Sequence, residues 1–260
     1  MIHIQRAWDK VTVDTQFSDL LSCYSEPYHR VRLLAAAAPH SGDWLHTLPI
    51  SACGLHLEDN AIRVAVGLRL DCAICEAHPC PYGAIVDPLG QHALTCKKNS
   101  GRVKRHAWLN DLTHRALIRV KEPQGLSRDD GKKPDGLTLV PWQSGRSATW
   151  DVTVVHTLAA SYVLQSAAQA ASTATAASER KSAKYSGLLS SHIFCPVAIE
   201  MLGPLADKAQ HFLTEIGRRA TCCTADPREA VFLYQRISVA IQRFNAVCLA
   251  NSLTISESPS

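Results

Sequence analysis

Two aspartates stand inside apolar, β-branched runs in the stretch KKPDGLTLVPWQSGRSATWDVTVV, residues 132–155. Asp135 follows Pro134, a residue suited to the start of a strand, and Asp151 lies between Trp150 and Val152. If the hairpin turns near Gln143, antiparallel counting sets Asp135 opposite Asp151, with Cβ atoms about 4.5 to 5.5 Å apart. Two carboxylates that close repel, and in low dielectric they share a proton or recruit a cation. Paired oxygens from neighbouring strands suit Mg²⁺, which takes one or two carboxylates and completes its shell with water and phosphate oxygens. The competing reading puts one aspartate at a solvent-facing turn.

Downstream, SERKSAKYSG (178–187) sets Lys181 and Lys184 three apart on one helical face, with Glu179 and Tyr185 beside them. A lysine near a metal-bound water and a scissile phosphate stabilises the anionic charge that develops in phosphodiester cleavage. The plainer alternative is a solvated, charged cap on an Ala-rich helix. A second window, DCAICEAHPCPYGAIVDPLGQHALTC (71–96), holds Cys72, Cys75, His78, Cys80, His92 and Cys96 among five turn-forming prolines and glycines. Thiolates and imidazoles gathered by tight turns are what a tetrahedral zinc site needs. A redox role for Cys72 and Cys75 would need a helix beginning at the pair, and Pro79 and Pro81 argue against one. The other cysteines, Cys23, Cys53, Cys195, Cys222, Cys223 and Cys248, sit mostly in apolar contexts, where a thiol behaves as a small buried hydrophobe.

These side chains need elements to position them. The chain has 260 residues, 46% of them hydrophobic, enough for a substantial core. Its 27 Lys and Arg against 23 Asp and Glu permit a polyanionic partner without demanding one. No apolar run approaches the roughly 20 residues of a membrane span, and MIHIQRAWDKVTVD lacks a signal-peptide core, so a soluble intracellular chain without a membrane partner is expected. Residues 15–38 read as helices interrupted near Pro27, and 58–70 as a short helix in preference to an alternating strand. GRVKRHAWLNDLTHRALIRV (101–120) reads as a basic amphipathic helix, with Trp108, Leu109, Leu112 and Leu117 on one face and Lys104, Arg105, His106, His114 and Arg115 near it. After Glu122 and a polar loop come the two hairpin strands, Gly136 to Val140 and Ala148 to Val155. A buried strand follows at 192–201 and an amphipathic helix at 205–219. The last helix takes Asp226 as N-cap, Pro227 as its first residue and Glu229 as a capping-box partner, and runs to about Asn251.

The Ala-rich tract from Leu158 to Leu189 favours one continuous helix, but geometry opposes it. From Asp151 to His156 a strand travels about 17 Å, and a helix bringing Lys184 back that far needs about 11 residues. The useful helix therefore starts near Thr173, with a break between Tyr162 and Thr173.

A Cys/His knuckle, then RH opening a helix, KPDG, WDVTV, and finally K and KY together resemble the restriction-like endonuclease domain of site-specific non-LTR retrotransposons. That domain belongs to the PD-(D/E)XK nuclease superfamily, and the resemblance runs from about Cys75 to Tyr185. It implies an α/β fold: a PD-(D/E)XK restriction-endonuclease-like core, a mixed sheet flanked by helices. Residues 1–71 would be a helical N-terminal region, 72–100 a Cys/His zinc-knuckle insert, and 101–260 the nuclease domain with its C-terminal helices. The implied activity is Mg-dependent cleavage of DNA phosphodiesters, with Asp135 and Asp151 as the metal-binding acids. Where the common form of the superfamily has its lysine, two residues after the second acid, this chain has Thr153. A variant form places the lysine downstream on a helix, which matches Lys181 or Lys184, the latter followed by Tyr185. Glu122 could add a third acid, although a plain strand-end charge explains it as well. In the knuckle, CPYG puts Tyr82 where a ligand is expected, which leaves Cys75, Cys80, His92 and Cys96 as the zinc set. Arg102, Lys104, Arg105, Lys132, Lys133 and Arg146 lie near the acids in sequence and could meet phosphates of the DNA partner. The chain shows no YADD-like polymerase motif, so the resemblance implies a piece of such an element or a gene derived from one, working with a reverse transcriptase domain it does not itself contain. It also implies a nuclear location. The alternative is a catalytically inactive, nucleic-acid-binding relic.

Overall fold

The structure, a computed structural model, describes residues 2–117, 119–121 and 133–253. Helices α1 (Ile2–Cys23) and α2 (Pro27–Ala37) are separate because Pro27 opens the second, where the Glu26 carboxylate accepts the His29 N–H at 3.0 Å. Helix α3 (Asp59–Leu70) has the helical form expected for 58–70, and buries Ala61, Val64, Ala65 and Leu68 along one face. The Cys/His window folds as a two-residue ladder, β1 (His78–Pro79) with β2 (Ile85–Val86), followed by the short helix α4 (Gln91–Thr95).

Helix α5 (Ser100–Ala116) is capped by the Asn99 side chain, which accepts the Gly101 N–H at 2.8 Å. Its buried stripe differs from the expected one. Gly101, Arg105, Leu109, Leu112 and Thr113 point inward, while Trp108 is 42% exposed and Leu117 lies beyond the helix end. Gly101 sets the stripe, since a Cβ there would meet Sγ of Cys248 at 2.9 Å.

Four strands form a small mixed sheet in the order β3 (Arg119–Lys121), β4 (Gly136–Thr138), β5 (Ala148–Val155), β6 (Ile193–Glu200). The first three are antiparallel and β5 runs parallel to β6. The first hairpin strand stops at Thr138, short of the expected Val140. The Thr138 hydroxyl accepts the Ala148 N–H at 3.0 Å and donates to the Val140 carbonyl at 2.9 Å, which ends the ladder. Between β5 and β6 lie α6 (Val163–Ala168) and α7 (Ser172–Lys184), separated by Ala171 at φ 62°. The break expected between Tyr162 and Thr173 is therefore present. The buried carboxylate of Glu200, at the end of β6, fixes where α7 begins by accepting the N–H groups of Thr173 and Ala174 at 3.1 and 3.2 Å.

Helices α8 (Asp207–Thr224) and α9 (Glu229–Ala250) complete the chain. The last helix starts later than expected: Asp226 accepts the Arg228 N–H at 2.9 Å across a turn, and Arg228 takes the cap position. The result is a mixed α/β fold. Trp150, Val152, Val197 and Ile199 pack with α5, α8 and α9 on one side of the sheet, and Ala198 packs with Ala174 and Ala177 of α7 on the other. A second cluster joins Val31, Val64, Val86 and Leu94 to Cys248 and Leu249 of α9, so residues from all three segments drawn in the sequence contribute to one core. No helix among the described residues is long and apolar enough to cross a membrane.

Candidate active site

The ladder pairs Gly136 with Trp150 and Leu137 with Thr149, and one further step sets Asp135 across from Asp151. Two glycine and tryptophan features hold that register. A side chain at 136 would collide with the Trp150 ring, and the fully buried indole donates from Nε1 to Asn110 Oδ1 at 2.9 Å, tying β5 to α5. Beyond Trp150, β5 has no β4 partner. Asp135 substitutes for one: its Oδ2 accepts the Val152 N–H at 2.7 Å, and its own N–H donates to the Trp150 carbonyl at 2.8 Å.

Asp151 is 4% exposed. Side chains alternate across a strand, so with Trp150 and Val152 in the core beneath α5, Asp151 faces α7. There Lys181 Nζ meets its Oδ1 at 2.5 Å. From α5, His106 brings Nε2 to 3.1 Å from Asp135 Oδ2. That hydrogen bond is the main reason the His106 pKa is raised, and partial burial opposes it. One ligand atom each of His106, Asp135 and Asp151 lie within 4.8 Å of one another. Two carboxylates and an imidazole are a donor set that fits a divalent cation.

His106 is the member that the sequence reading left unassigned. Its signals in the sequence are its place among the basic and titratable residues of the 101–120 helix and as the second residue of the RH pair, one position past the buried stripe of α5. Lys184 takes a different place from Lys181: its Nζ donates to the Tyr185 hydroxyl at 2.8 Å, and that hydroxyl donates to the Lys133 carbonyl at 2.9 Å. Tyr185 is buried, so it positions the chain before Pro134. Of the residues expected to meet phosphates, Lys104 and Lys133 are exposed. Arg105 is not on the surface; it is 4% exposed and donates to Asn245 Oδ1 at 2.9 Å. Arg102 is half-buried against the Thr95 carbonyl. Arg146 sits in the hairpin turn, five residues and about 17 Å of strand from Asp151, and holds the Leu189 carbonyl. Glu122 and Lys132 lie outside the described residues.

In the knuckle, Cys80, His92 and Cys96 come together, each offering a ligand atom within 4.8 Å of the others. The two sulfurs are 4.0 Å apart, close to the ~3.8 Å that two thiolates at ~2.3 Å from a tetrahedral zinc would show. His92 Nε2 is buried with no hydrogen-bond partner among the described residues, as a ligand nitrogen would be. Cys75 does not join this set. Its sulfur lies against the carbonyls of Asp87 and Pro88, and burial together with Asp87 pushes its thiol pKa up, away from the thiolate. His78 is engaged by Ser252, and Tyr82 is 49% exposed.

No protein-family model, no curated protein and no solved structure matches this chain.

Proposed function

We propose that the chain is a metal-dependent DNA endonuclease with a PD-(D/E)XK-like core, derived from a non-LTR retrotransposon and acting in the nucleus beside a reverse transcriptase domain carried elsewhere. The observation that supports this most is the convergence of His106 of α5, Asp135 just before β4 and Asp151 of β5 beside the Lys181 ammonium. A Mg²⁺ held by Asp135, Asp151 and His106 would polarise a phosphoryl oxygen and acidify a bound water. The chain's own groups do the rest. Lys181 can exchange its bond to Asp151 for a bond to the phosphoryl oxygen on which negative charge grows as water attacks phosphorus and the P–O bond to the leaving strand breaks. The Val152 N–H fixes one oxygen of Asp135, so this carboxylate is oriented before any ligand arrives. Cys80, His92 and Cys96 would hold a structural Zn²⁺, with the fourth position open to water or to a rearranged Cys75.

Incubating the purified protein with supercoiled DNA and Mg²⁺ or Mn²⁺ tests the reading. Nicking that disappears in Asp135→Ala and Asp151→Ala supports it, and equal nicking by the wild type and both variants removes it. The direct Lys181–Asp151 ion pair favours a second reading, a nucleic-acid-binding relic, because it already occupies a carboxylate oxygen that the cation would need. Salt-sensitive DNA binding by a wild type that cuts nothing would select that alternative.

A further inference from the structure

Helix α5 runs antiparallel to β5: Asn110 meets Trp150, and Arg102 and Arg105 lie beside His156, just past the end of the strand. A cavity of about 70 Å³ opens there, lined by Thr95, Arg102, Arg105, Val155, His156 and Met201 among others. It is roomier than one water molecule needs.

Its charges are unbalanced. Arg105 is 4% exposed, and neither it nor Arg102 has a carboxylate within ion-pair distance among the described residues. Buried charges are ordinarily paired, because an isolated one forfeits its hydration without return. The guanidinium of Arg105 carries five N–H donors, and Asn245 Oδ1 accepts from one of them. Both ring nitrogens of His156 are buried, and among the described residues no other residue supplies them a hydrogen-bond partner. The carboxylate whose field reaches His156 is that of Asp87, and its oxygens accept the N–H groups of Leu89 and Gln91 at 2.9 and 3.1 Å.

We infer that this cavity is a tetrahedral-oxyanion site in which Arg102, Arg105 and His156 take a phosphate group, either free or within a polynucleotide backbone. The anion supplies the countercharge that Arg105 lacks and gives the His156 ring a partner. Burial first, and then the two arginines, push the His156 pKa down to about 4, so a bound anion moves it back up. The site stands on its own donors and does not require the acid cluster to be catalytic. Its position nonetheless suits a nucleic acid: Arg102 is one helical turn from His106, about 6 Å of rise, and His156 is about 17 Å of strand beyond Asp151. At about 3.4 Å of rise per nucleotide, a backbone phosphate there would lie some two to five nucleotides from the acid cluster.

The test follows the His156 imidazole resonances, assigned with His156→Gln, while inorganic phosphate replaces chloride at constant ionic strength and without divalent cations. A saturable shift with a raised His156 pKa is expected in the wild type and equally in Asp151→Asn, which disables the acid cluster. Arg102→Gln and Arg105→Lys should each weaken phosphate binding by about tenfold or more, the loss of a charge-assisted bond. Arg102→Gln alters the less buried of the two and keeps the test valid if the Arg105 variant fails to fold. Competition by an oligodeoxynucleotide without terminal phosphates assigns the site to a nucleic-acid backbone, and its absence assigns it to free phosphate. No saturable shift in the wild type, or a shift unchanged in Arg102→Gln, overturns the inference. A wild type that binds phosphate but nicks no DNA would remove the nuclease reading alone.

Discussion

The indole of Trp150 fills the space in which a side chain at position 136 would begin, so the glycine after Asp135 and the tryptophan before Asp151 lock the two acids into register. Gly136→Ala should cost about 1–3 kcal/mol of stability or more, because the obstructing ring is fully buried and cannot yield. Gly187→Ala, where a Cβ meets nothing, is the control and should be near neutral. Urea unfolding midpoints measure the difference.

The two lysines of the KSAKY run should separate. Lys181 lies on Asp151, whereas Lys184 lies on the Tyr185 hydroxyl. In the proposed nuclease, Lys181→Met should lower nicking by about a hundredfold or more, and Lys184→Met should lower it far less. Equal losses in the two variants, both verified as folded by circular dichroism, would break the assignment of Lys181 as the charge-stabilising group.

His106 gives the site a pH dependence of known sign. Its pKa is raised above 6.5 by the hydrogen bond to Asp135, so the stability it contributes is full below about 6.5 and is lost as pH rises through the raised value. Metal binding runs the other way, since the imidazole must lose its proton to serve as a ligand. Mn²⁺ affinity measured calorimetrically should therefore climb with pH through that range, and His106→Asn should flatten the climb.

The knuckle should carry about one equivalent of zinc when the protein is purified without chelators. Cys96→Ser should lose the metal, while Cys75→Ser should retain most of it, because Cys75 stands against the Asp87 and Pro88 carbonyls. Metal analysis of the three proteins decides. Chelation should loosen residues 72–96 and leave the hairpin intact, which hydrogen exchange can follow.

Glu200 should make the protein less stable as pH rises. Burial lifts its pKa from 4.5 to about 7 despite the N–H groups of Thr173 and Ala174. A raised carboxylate pKa means the folded state holds a proton the unfolded state has lost, so stability falls between about pH 4.5 and 7. Glu200→Gln keeps an acceptor for the helix terminus and should match the wild type near the lower limit but exceed it above the upper one. Identical pH profiles for the two proteins would contradict this.

Much of the architecture follows from local chemistry. Pro27 and Glu26 dictate the split between the first two helices, and a turn counted about Gln143 already sets Asp135 across from Asp151, a register that the Gly136–Trp150 contact then holds. The break before Thr173 followed from length only on the premise that a lysine returns to the acids; in the fold it is made by Ala171 at φ 62° and by Glu200 at the start of α7. Tertiary structure decided what local pattern cannot carry. Gly101 against Cys248 rotated α5 so that Arg105 went inward, Trp108 outward and His106 to Asp135. Which lysine reaches Asp151 was settled by Glu200, a residue on another strand that fixes the first turn of α7. Cys80, His92 and Cys96 came together while Cys75 did not, because the N–H groups of Ile74 and Cys75 are tied to the Pro88 carbonyl. Periodicity tells a helix which side is apolar, but only the surface it packs against selects the angle at which it stops, and that angle is what brings His106 within reach of Asp135.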